Sequence, residues 1–421
     1  MVVKDILQVL YAPHKIFKKI VQNPGYLGPF ILILLFVVAR VGTSYVTGSR
    51  LYIEQTIPVG TEADIWTENA TLWQSNPGVS VSANNVDFIN GSQAILGFPD
   101  YYGNSSIEFA ISNNNTIEMS LNDFGGQINC GADGFMDLFY RIKIVTPDEE
   151  PENVTLTLYS LNDSSFSYDL TTNFAANVVN VWNNISVPVG SGNWLSHGNP
   201  TWGNITGLKL EFAWSNSADI DMRLDSLFFR NNFENQIELA GGMFQFIGIS
   251  AFNMLAPFLF QWLVFSALIY LLIKGLKGNV LWRPLMVAVG YALITIVIQA
   301  IIVTAVYTTL PDLYYPLELL AYLPGEFEAA QELLLTQLAN INLAEYTLQI
   351  AVWVWTIALG TFIVRAITGS RKIAEETGLG RAALNTTASS DVIAFSWMKC
   401  VLVSGLSMFL TIFILGLLGV A

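Results

Sequence analysis

The sequence contains few of the residues from which redox, metal and nucleophilic sites are built. Among its 421 residues, two are cysteines and two are histidines: Cys130, Cys400, His14 and His197. Cys400 lies in an apolar run and Cys130 in a polar one, so we expect no disulfide. An exterior domain of this size without a disulfide is more typical of prokaryotes than of animals. The chain also lacks a phosphate-binding loop and a dinucleotide fingerprint.

Charged residues are scarce as well. They make up 12% of the chain, against about 25% in a typical soluble domain, while 52% of the residues are hydrophobic. This composition predicts a membrane protein, because five windows are apolar and long enough to cross about 30 Å of hydrocarbon. We predict an α-helical five-span transmembrane bundle with spans at 28–46, 251–273, 285–308, 347–367 and 396–420, the last four lying within a four-span part at 251–421.

The positive charges predict the orientation. Lys and Arg are retained on the cytoplasmic side of short loops, and they cluster before the first window and after the second and fourth windows. The loop 309–346 holds six Asp and Glu but no Lys or Arg, so we place it outside, where its apolar stripe predicts a helix. We expect a protein of the plasma membrane with a cytoplasmic amino terminus and an exterior carboxyl terminus. His14 and His197 then lie on opposite sides, which predicts a protein that is not an enzyme and carries no histidine-based metal site.

Residues 1–27 form a basic foot ahead of the first span. Wound as a helix from Pro13, the foot divides into an apolar arc and a basic arc. This division suits a lipid interface with anionic headgroups; the alternative is an ordinary amphipathic helix packed on a domain. The apolar arc consists of Ile16, Phe17, Ile20 and Val21, and the predicted contacts with the lipid bilayer are Lys15, Lys18 and Lys19.

A polar insertion, residues 51–236, separates the first two windows. Its short alternating runs, such as "NVTLTLYSL" and "GLKLEFAW", are rich in β-branched and aromatic residues, which is typical of strands. Seven or more such runs without intervening helices predict an all-β sandwich outside the membrane. The order of its closing elements, "WNNISVPV", "NPTWGNITGLKLEFAW" and "DIDMRLDSLFF", resembles jelly-roll domains of the galactose-binding and carbohydrate-binding-module type. That resemblance implies a glycan or a cell-surface protein as ligand.

Aromatic residues in loop-like sequence are the candidates for stacking on a sugar, because a sugar site needs exposed ring faces with polar groups around them. The candidates are Trp194, Trp202, Tyr101 and Tyr102; the alternative is that these rings close the ends of the sandwich. Asp87 and Asp225 are candidate ligands of a structural Ca²⁺, as in some relatives of the resembling domains. The alternative there is a solvated strand face, and no other cofactor is expected.

The insertion is acidic and rich in asparagine. Residues 51–240 hold 23 Asp and Glu against 5 Lys and Arg, which argues against nucleic acid as a partner, since phosphate binding needs clustered positive charge. Eight Asn-X-Ser/Thr sequons occur, about twice the number expected by chance for this composition. They predict N-glycosylation at Asn69, Asn90, Asn104, Asn114, Asn153, Asn162, Asn184 and Asn204.

The membrane part resembles the Yip family of five-span proteins, which are named for interaction with Ypt/Rab GTPases and have many prokaryotic relatives. The resemblance is carried by the foot "APHKIFKKI", the break "NPGYLGP", and the basic loop that leads into "GNVLWRPLMVAVGYALITIVI", with Gly290 and Tyr291 in the third span. It covers about residues 1–50 and 250–421. It implies five spans, with partners that would be met at the cytoplasmic foot and loops.

Polar residues inside the windows are few. Arg40 lies well inside the first window and should either pair with an interior partner or extend its guanidinium to the outer interface. We predict a non-catalytic binding or membrane-organising protein with an exterior ligand-binding sandwich. The alternatives are a carbohydrate receptor on passive spans, and a channel or transporter, which a continuous polar cavity lined by Asn253, Gln261 and Gln299 would favour.

Overall fold

The structure is a computed structural model that describes residues 2–59, 64–90, 101–175, 179–190, 192–370 and 395–418. The chain forms two compact units. The helical unit comprises Met1–Arg50, Gln236–Asp312 and Gln337–Ala421, and the β unit comprises Leu51–Asn235 and Leu313–Thr336. The predicted exterior loop 309–346 is therefore divided, because its residues up to Thr336 mostly belong to the β unit and its last ten residues belong to the helical unit.

The helices of the described chain are numbered in sequence order. They are α1 Val2–Tyr11, α2 Pro13–Gln22, α3 Leu27–Gly48, α4 Ile65–Glu68, α5 Thr171–Phe174, α6 Gln236–Leu239, α7 Met243–Gly275, α8 Trp282–Ala292, α9 Ile294–Tyr307, α10 Leu317–Ala321, α11 Glu326–Thr368 and α12 Trp397–Leu417.

In the part of the chain that the structure describes, five helical stretches are long and apolar enough to cross a membrane, which is consistent with a membrane protein. They contain or nearly match the five predicted windows. Two differ in form from the prediction. The third stretch consists of α8 and α9, which meet at Leu293, and the fourth is the 43-residue helix α11, which starts about 20 residues before the predicted window.

The foot folds as two helices, α1 and α2, and α2 begins at Pro13 as predicted. The arc composed of Ile16, Phe17, Ile20 and Val21 is buried, and the lysines of the opposite arc are exposed. The buried arc belongs to the core of the helical unit and packs against α8, so its apolar side chains contact protein rather than lipid. Lys19 also forms an ion pair with Asp5 of α1 at 2.6 Å. A role of the exposed lysines at a lipid surface stays a prediction.

Two motifs of the predicted spans meet inside the helical unit. A Cβ atom added at Gly28 would overlap the Tyr291 ring, and one added at Gly290 would lie 2.7 Å from Cγ of Pro29. Each glycine therefore receives a bulky side chain from the opposite motif, which brings α3 and α8 close together. Small residues serve this role at helix contacts in membranes, since they let backbones approach.

The β unit is built from a sheet that is antiparallel except where β1 pairs with β11. Its strands are β1 Leu51–Ile57, β2 Trp73–Ser75, β3 Ser80–Asn84, β4 Ser106–Leu121, β5 Asp137–Thr146, β6 Asn153–Ser160, β7 Ser164–Asp169, β8 Asn183–Pro188, β9 Leu195–His197, β10 Ile205–Asn235 and β11 Leu313–Tyr315.

The long strands β4 and β10 pair along most of their length and divide the sheet into two parts. In the first part, which we call the β6 half-sheet, β10 lies between β4 and β6, and β7 and β9 follow. In the second part, the β5 half-sheet, β10 lies between β4 and β5, and β8 follows. Side chains from both parts share one buried core, and Trp73 of β2 meets Phe109 edge-on at 5.5 Å between ring centroids.

The segment Leu313–Thr336 completes the β unit. β11 adds to the edge of the sheet beside β1, and Leu317 and Ala321 of α10 are buried together with Phe139 and Phe228. Arg230 joins this segment to the sheet, since its guanidinium binds Glu54 and Glu318 at 2.8 Å each. A stretch predicted to be a loop thus contributes to the fold of the β unit.

Candidate functional site

The two half-sheets differ in how far their outer faces are covered. On the β5 half-sheet, the Arg141 side chain is only 2% exposed and binds Glu326 at 2.7 Å. Asp87 lies over the same face, where it binds Lys143 at 2.8 Å and also contacts the Arg223 guanidinium. These charged side chains of the face already bind one another, so few of them remain free to bind a ligand.

The outer face of the β6 half-sheet is open. Strand alternation places Thr155, Thr157 and Tyr159 of β6 outward, while Val154, Leu156 and Leu158 enter the core. On the neighbouring strands, Ser165 of β7 lies opposite Tyr159, and Lys209 of β10 lies opposite Thr157. We name this surface the β6 face; its outward side chains include Thr155, Thr157, Tyr159, Ser165, Ser167, Asp169, Leu195, His197, Lys209, Glu211 and Glu118.

The β6 face carries an ion pair, a further carboxylate from Glu118 opposite Glu211, and the rings of Tyr159 and His197. Lys209 and Glu211 lie 3.0 Å apart, with their side chains 23% and 38% exposed. Burial acts to lower the pKa of Lys209, but the hydrogen bond and charge of Glu211 outweigh it and raise that pKa. Partial burial raises the pKa of Tyr159, which feels the charges of Lys209 and Glu211. The phenol therefore stays protonated as a hydrogen-bond donor beside a paired cation and anion.

The predicted tryptophans lie at the edge of the sandwich core. Trp202 stacks on Phe166 with 3.8 Å between ring centroids and 7° between planes. Trp194 meets Trp202 at 82° and donates its indole N–H to the carbonyl of Pro188. Both rings are half-buried and pack against the core. They do not form the coplanar, exposed pair that a shared sugar platform would need, so packing is the role their geometry favours.

The predicted tyrosines belong to the cluster that covers the outer face of the β5 half-sheet. Tyr102 is 1% exposed, with the Arg141 guanidinium 4.8 Å from its ring centroid, and burial raises its pKa to about 12. A ligand cannot stack on a ring covered in this way, so Tyr102 is removed from the candidates. Tyr101 is half-buried and packs against the same cluster.

The predicted calcium ligands do not share a site. Asp87 is bound by Lys143 and Arg223 and accepts a hydrogen bond from Trp182, so its carboxylate is already neutralised. Asp225 is fully buried and instead contacts a carboxyl that the sequence analysis missed, Asp64. Within the described ranges, no group of three or more His, Cys, Asp or Glu side chains could hold a metal ion.

Asp64 and Asp225 form a buried carboxyl pair. Their side chains are hydrogen-bonded to each other, and the Ser226 N–H donates to an oxygen of each at 2.6 Å. Burial raises the pKa of Asp64 to about 7, and burial together with the charge of Asp64 raises the pKa of Asp225 well above its ordinary value. The pair therefore holds a proton at pH values where a solvated aspartic acid has lost it.

The sequon asparagines all lie in the β unit. Two of them, Asn114 and Asn204, are half-buried, and the other six are exposed. This placement leaves most of the predicted glycosylation sites accessible, and their modification stays a prediction.

The polar residues predicted within the spans converge in the helical unit. Asn253, Gln261 and Gln299 line one cavity of about 550 Å³, and Arg40 lines it as well. Glu345, which the charge pattern places in the exterior loop, lines the same cavity. The sequence of helix α11 has no local signal that marks where the helix leaves the β unit and enters the helical unit, so the position of Glu345 could not be predicted.

No protein-family model matches the chain, and no curated protein matches it either. Similarity to solved structures is found at low identity. A family 11 carbohydrate-binding module from Clostridium thermocellum, in complex with a β-1,3-1,4-mixed-linked tetrasaccharide, is 14% identical with a TM-score of 0.26 and covers 42% of this chain and 94% of that one. The CBM22-1 xylan-binding domain from Paenibacillus barcinonensis Xyn10C is 14% identical with a TM-score of 0.20, covering 42% and 90%. TmCBM61 in complex with β-1,4-galactotriose is 11% identical with a TM-score of 0.20, covering 40% and 94%.

Proposed function

We propose that the chain is an integral membrane protein whose exterior β unit binds a neutral glycan on the β6 face, without catalysing a reaction. The observation that carries this proposal is the contrast between the two outer faces of the sandwich. The face of the β5 half-sheet is occupied by internal ion pairs, whereas the β6 face presents hydroxyls, an ion pair and a tyrosine ring. An uncovered polar sheet face is the surface on which a binding function can reside.

The chemistry of the β6 face suits a sugar. Thr155, Thr157 and Ser165 offer hydroxyls that both donate and accept, Lys209 donates and Glu211 accepts. A pyranose presents hydroxyls of both kinds and C–H groups that pack on an aromatic ring such as that of Tyr159. Lys209 offsets the charge of Glu211, but Glu118 lies opposite Glu211 as a further carboxylate. Residues 51–240 also carry 23 acidic against 5 basic residues. An anionic polymer would be repelled by this field, so a neutral glycan is the class of ligand proposed.

The proposal places the β unit outside and the helical unit in the membrane as a Yip-like part. It is supported by the five apolar helical stretches, the basic loops that flank them, and the packing of Gly28 and Pro29 against Gly290 and Tyr291. Reporter fusions after residue 25 and after residue 240 test the topology. Signals from opposite sides of the membrane are expected, and signals from the same side contradict it.

A glycan array probed with the full chain in detergent tests the binding function. The full chain is needed because residues 51–236 alone would lack Leu313–Thr336 and expose Phe139 and Phe228. We expect saturable binding to a neutral glycan that Tyr159→Ala abolishes and Trp194→Ala preserves. Binding that survives Tyr159→Ala but is lost in Trp194→Ala would move the site to the sandwich edge. No binding by the folded wild-type chain would refute the function.

A further inference from the structure

The helical unit contains a second polar site, which is independent of the β6 face. Its cavity of about 550 Å³ adjoins another of about 490 Å³, and Arg40, Asn253 and Glu345 line both. All lining residues belong to the helical unit. The lining thus combines one cation, one carboxylate and neutral amides among apolar helices.

The two charged residues, Arg40 and Glu345, line the cavity but do not form an ion pair with each other. Glu345 of α11 accepts a hydrogen bond from the Tyr307 phenol at 3.0 Å. Arg40 of α3 is half-buried, and no ion pair within 4.0 Å joins it to a carboxylate of the described chain. Charged groups within apolar helices are costly and face interior cavities or functional partners. Because these two do not pair directly, both remain able to bind charged groups of a ligand.

Neutral polar groups lie beside the charges. The Gln299 amide donates to the Gln349 side chain, and both residues line the larger cavity. Pro257 lies inside the continuous helix α7 and lines the same cavity. Since proline has no N–H, the carbonyl of Asn253, four residues earlier, lacks its usual helical donor. Asn253 itself lines the cavity, so its side-chain amide adds to the neutral polar groups of the wall.

We propose that this cavity binds a small zwitterion, with its anionic group on Arg40 and its ammonium group on Glu345. The Arg40 guanidinium offers two parallel N–H donors to a carboxylate or phosphate, and the Glu345 carboxylate accepts from an ammonium group. The apolar part of the wall, which includes Phe36, Phe258 and Trp353, accommodates hydrocarbon. This chemistry is shared by free amino acids and by the headgroup of phosphatidylethanolamine, and the experiment separates the two sources.

Native mass spectrometry and thermal unfolding of the full chain in a nonionic detergent test the proposal. One arm adds a set of free amino acids, another adds phosphatidylethanolamine, and phosphatidylglycerol with the same acyl chains serves as the lipid lacking an ammonium group. We expect either the amino acids or phosphatidylethanolamine to give a bound species and to raise the Tm. Phosphatidylglycerol should bind at least tenfold more weakly than that ligand. Equal binding of both lipids and no binding of amino acids would overturn the proposal, as would no binding in any arm.

Substitutions of Arg40 and Glu345 test whether these two side chains bind the charged groups of the ligand. Arg40→Met and Glu345→Gln should each weaken binding at least tenfold, and Arg283→Met, an exposed cation of α8 outside the cavity, should change it less than twofold. If Arg40→Met does not fold, Arg40→Lys and Glu345→Gln supply the comparison. Full retention of binding in a folded Arg40→Met or Glu345→Gln chain would overturn the assignment.

Discussion

Removing the Arg230 side chain should destabilise the β unit far more than removing an exposed lysine. The Glu54 side chain is 1% exposed, and the Arg230 guanidinium binds both of its oxygens and also Glu318. Breaking a buried ion pair by deleting one partner costs about 3–5 kcal/mol, because a buried charge is left uncompensated. Arg230→Met should therefore lower the Tm of the β unit by roughly 6–20 °C, at about 2–4 °C per kcal/mol for a unit of this size.

Lys209→Met is the matched control. Its pair with Glu211 is partly exposed, and exposed ion pairs are worth about 0–1 kcal/mol, so we expect a Tm change of at most roughly 4 °C. Glu54 also accepts the N–H of Leu317, so Arg230→Met should speed hydrogen–deuterium exchange across residues 313–323. Calorimetry and exchange on the full chain check both expectations. Equal small effects of the two substitutions would refute the reasoning about the buried Glu54 charge.

Two further predictions concern packing and pH. Gly28→Ala would drive a methyl group into the Tyr291 ring and should lower the free energy of unfolding by about 1–3 kcal/mol. Gly405→Ala is the control, because a Cβ atom there has nothing within 4 Å and should be neutral or stabilising in helix α12. Equal Tm values for these variants would contradict the close approach of α3 and α8. Because the folded-state pKa of Asp64 is raised to about 7, its contribution to stability is fully present below about pH 4 and is lost as pH rises towards 7. A Tm of the β unit that does not fall between pH 4 and pH 7 would contradict a raised folded-state pKa of Asp64.

Features governed by local periodicity could be predicted from the sequence. Apolar windows indicated the helical stretches, and the 100° spacing from Pro13 identified the buried arc of α2. Strand alternation in "NVTLTLYSL" also places Tyr159 outward. Which sheet face stays open could not be predicted, since that depends on Leu313–Thr336 packing against the sheet from a distant part of the chain.

The missed site residues share the same cause. Asp64 contacts Asp225 across some 160 positions of sequence, and neither residue carries a local motif. Glu345 lies near acidic residues that marked its stretch as an exterior loop, yet one continuous helix brings it to the cavity of the helical unit. The cavity itself was foreseen only as an alternative, through Asn253, Gln261 and Gln299.

The most direct test of the glycan-binding proposal is a titration of the strongest array ligand against the full chain and its Tyr159→Ala and Tyr102→Phe variants by isothermal calorimetry. Tyr159 lies on the open β6 face, and Tyr102 is buried in the cluster that covers the β5 half-sheet. We predict that Tyr159→Ala weakens the Kd at least tenfold while Tyr102→Phe leaves it within twofold. An unchanged Kd in a folded Tyr159→Ala chain would contradict the assignment of the β6 face.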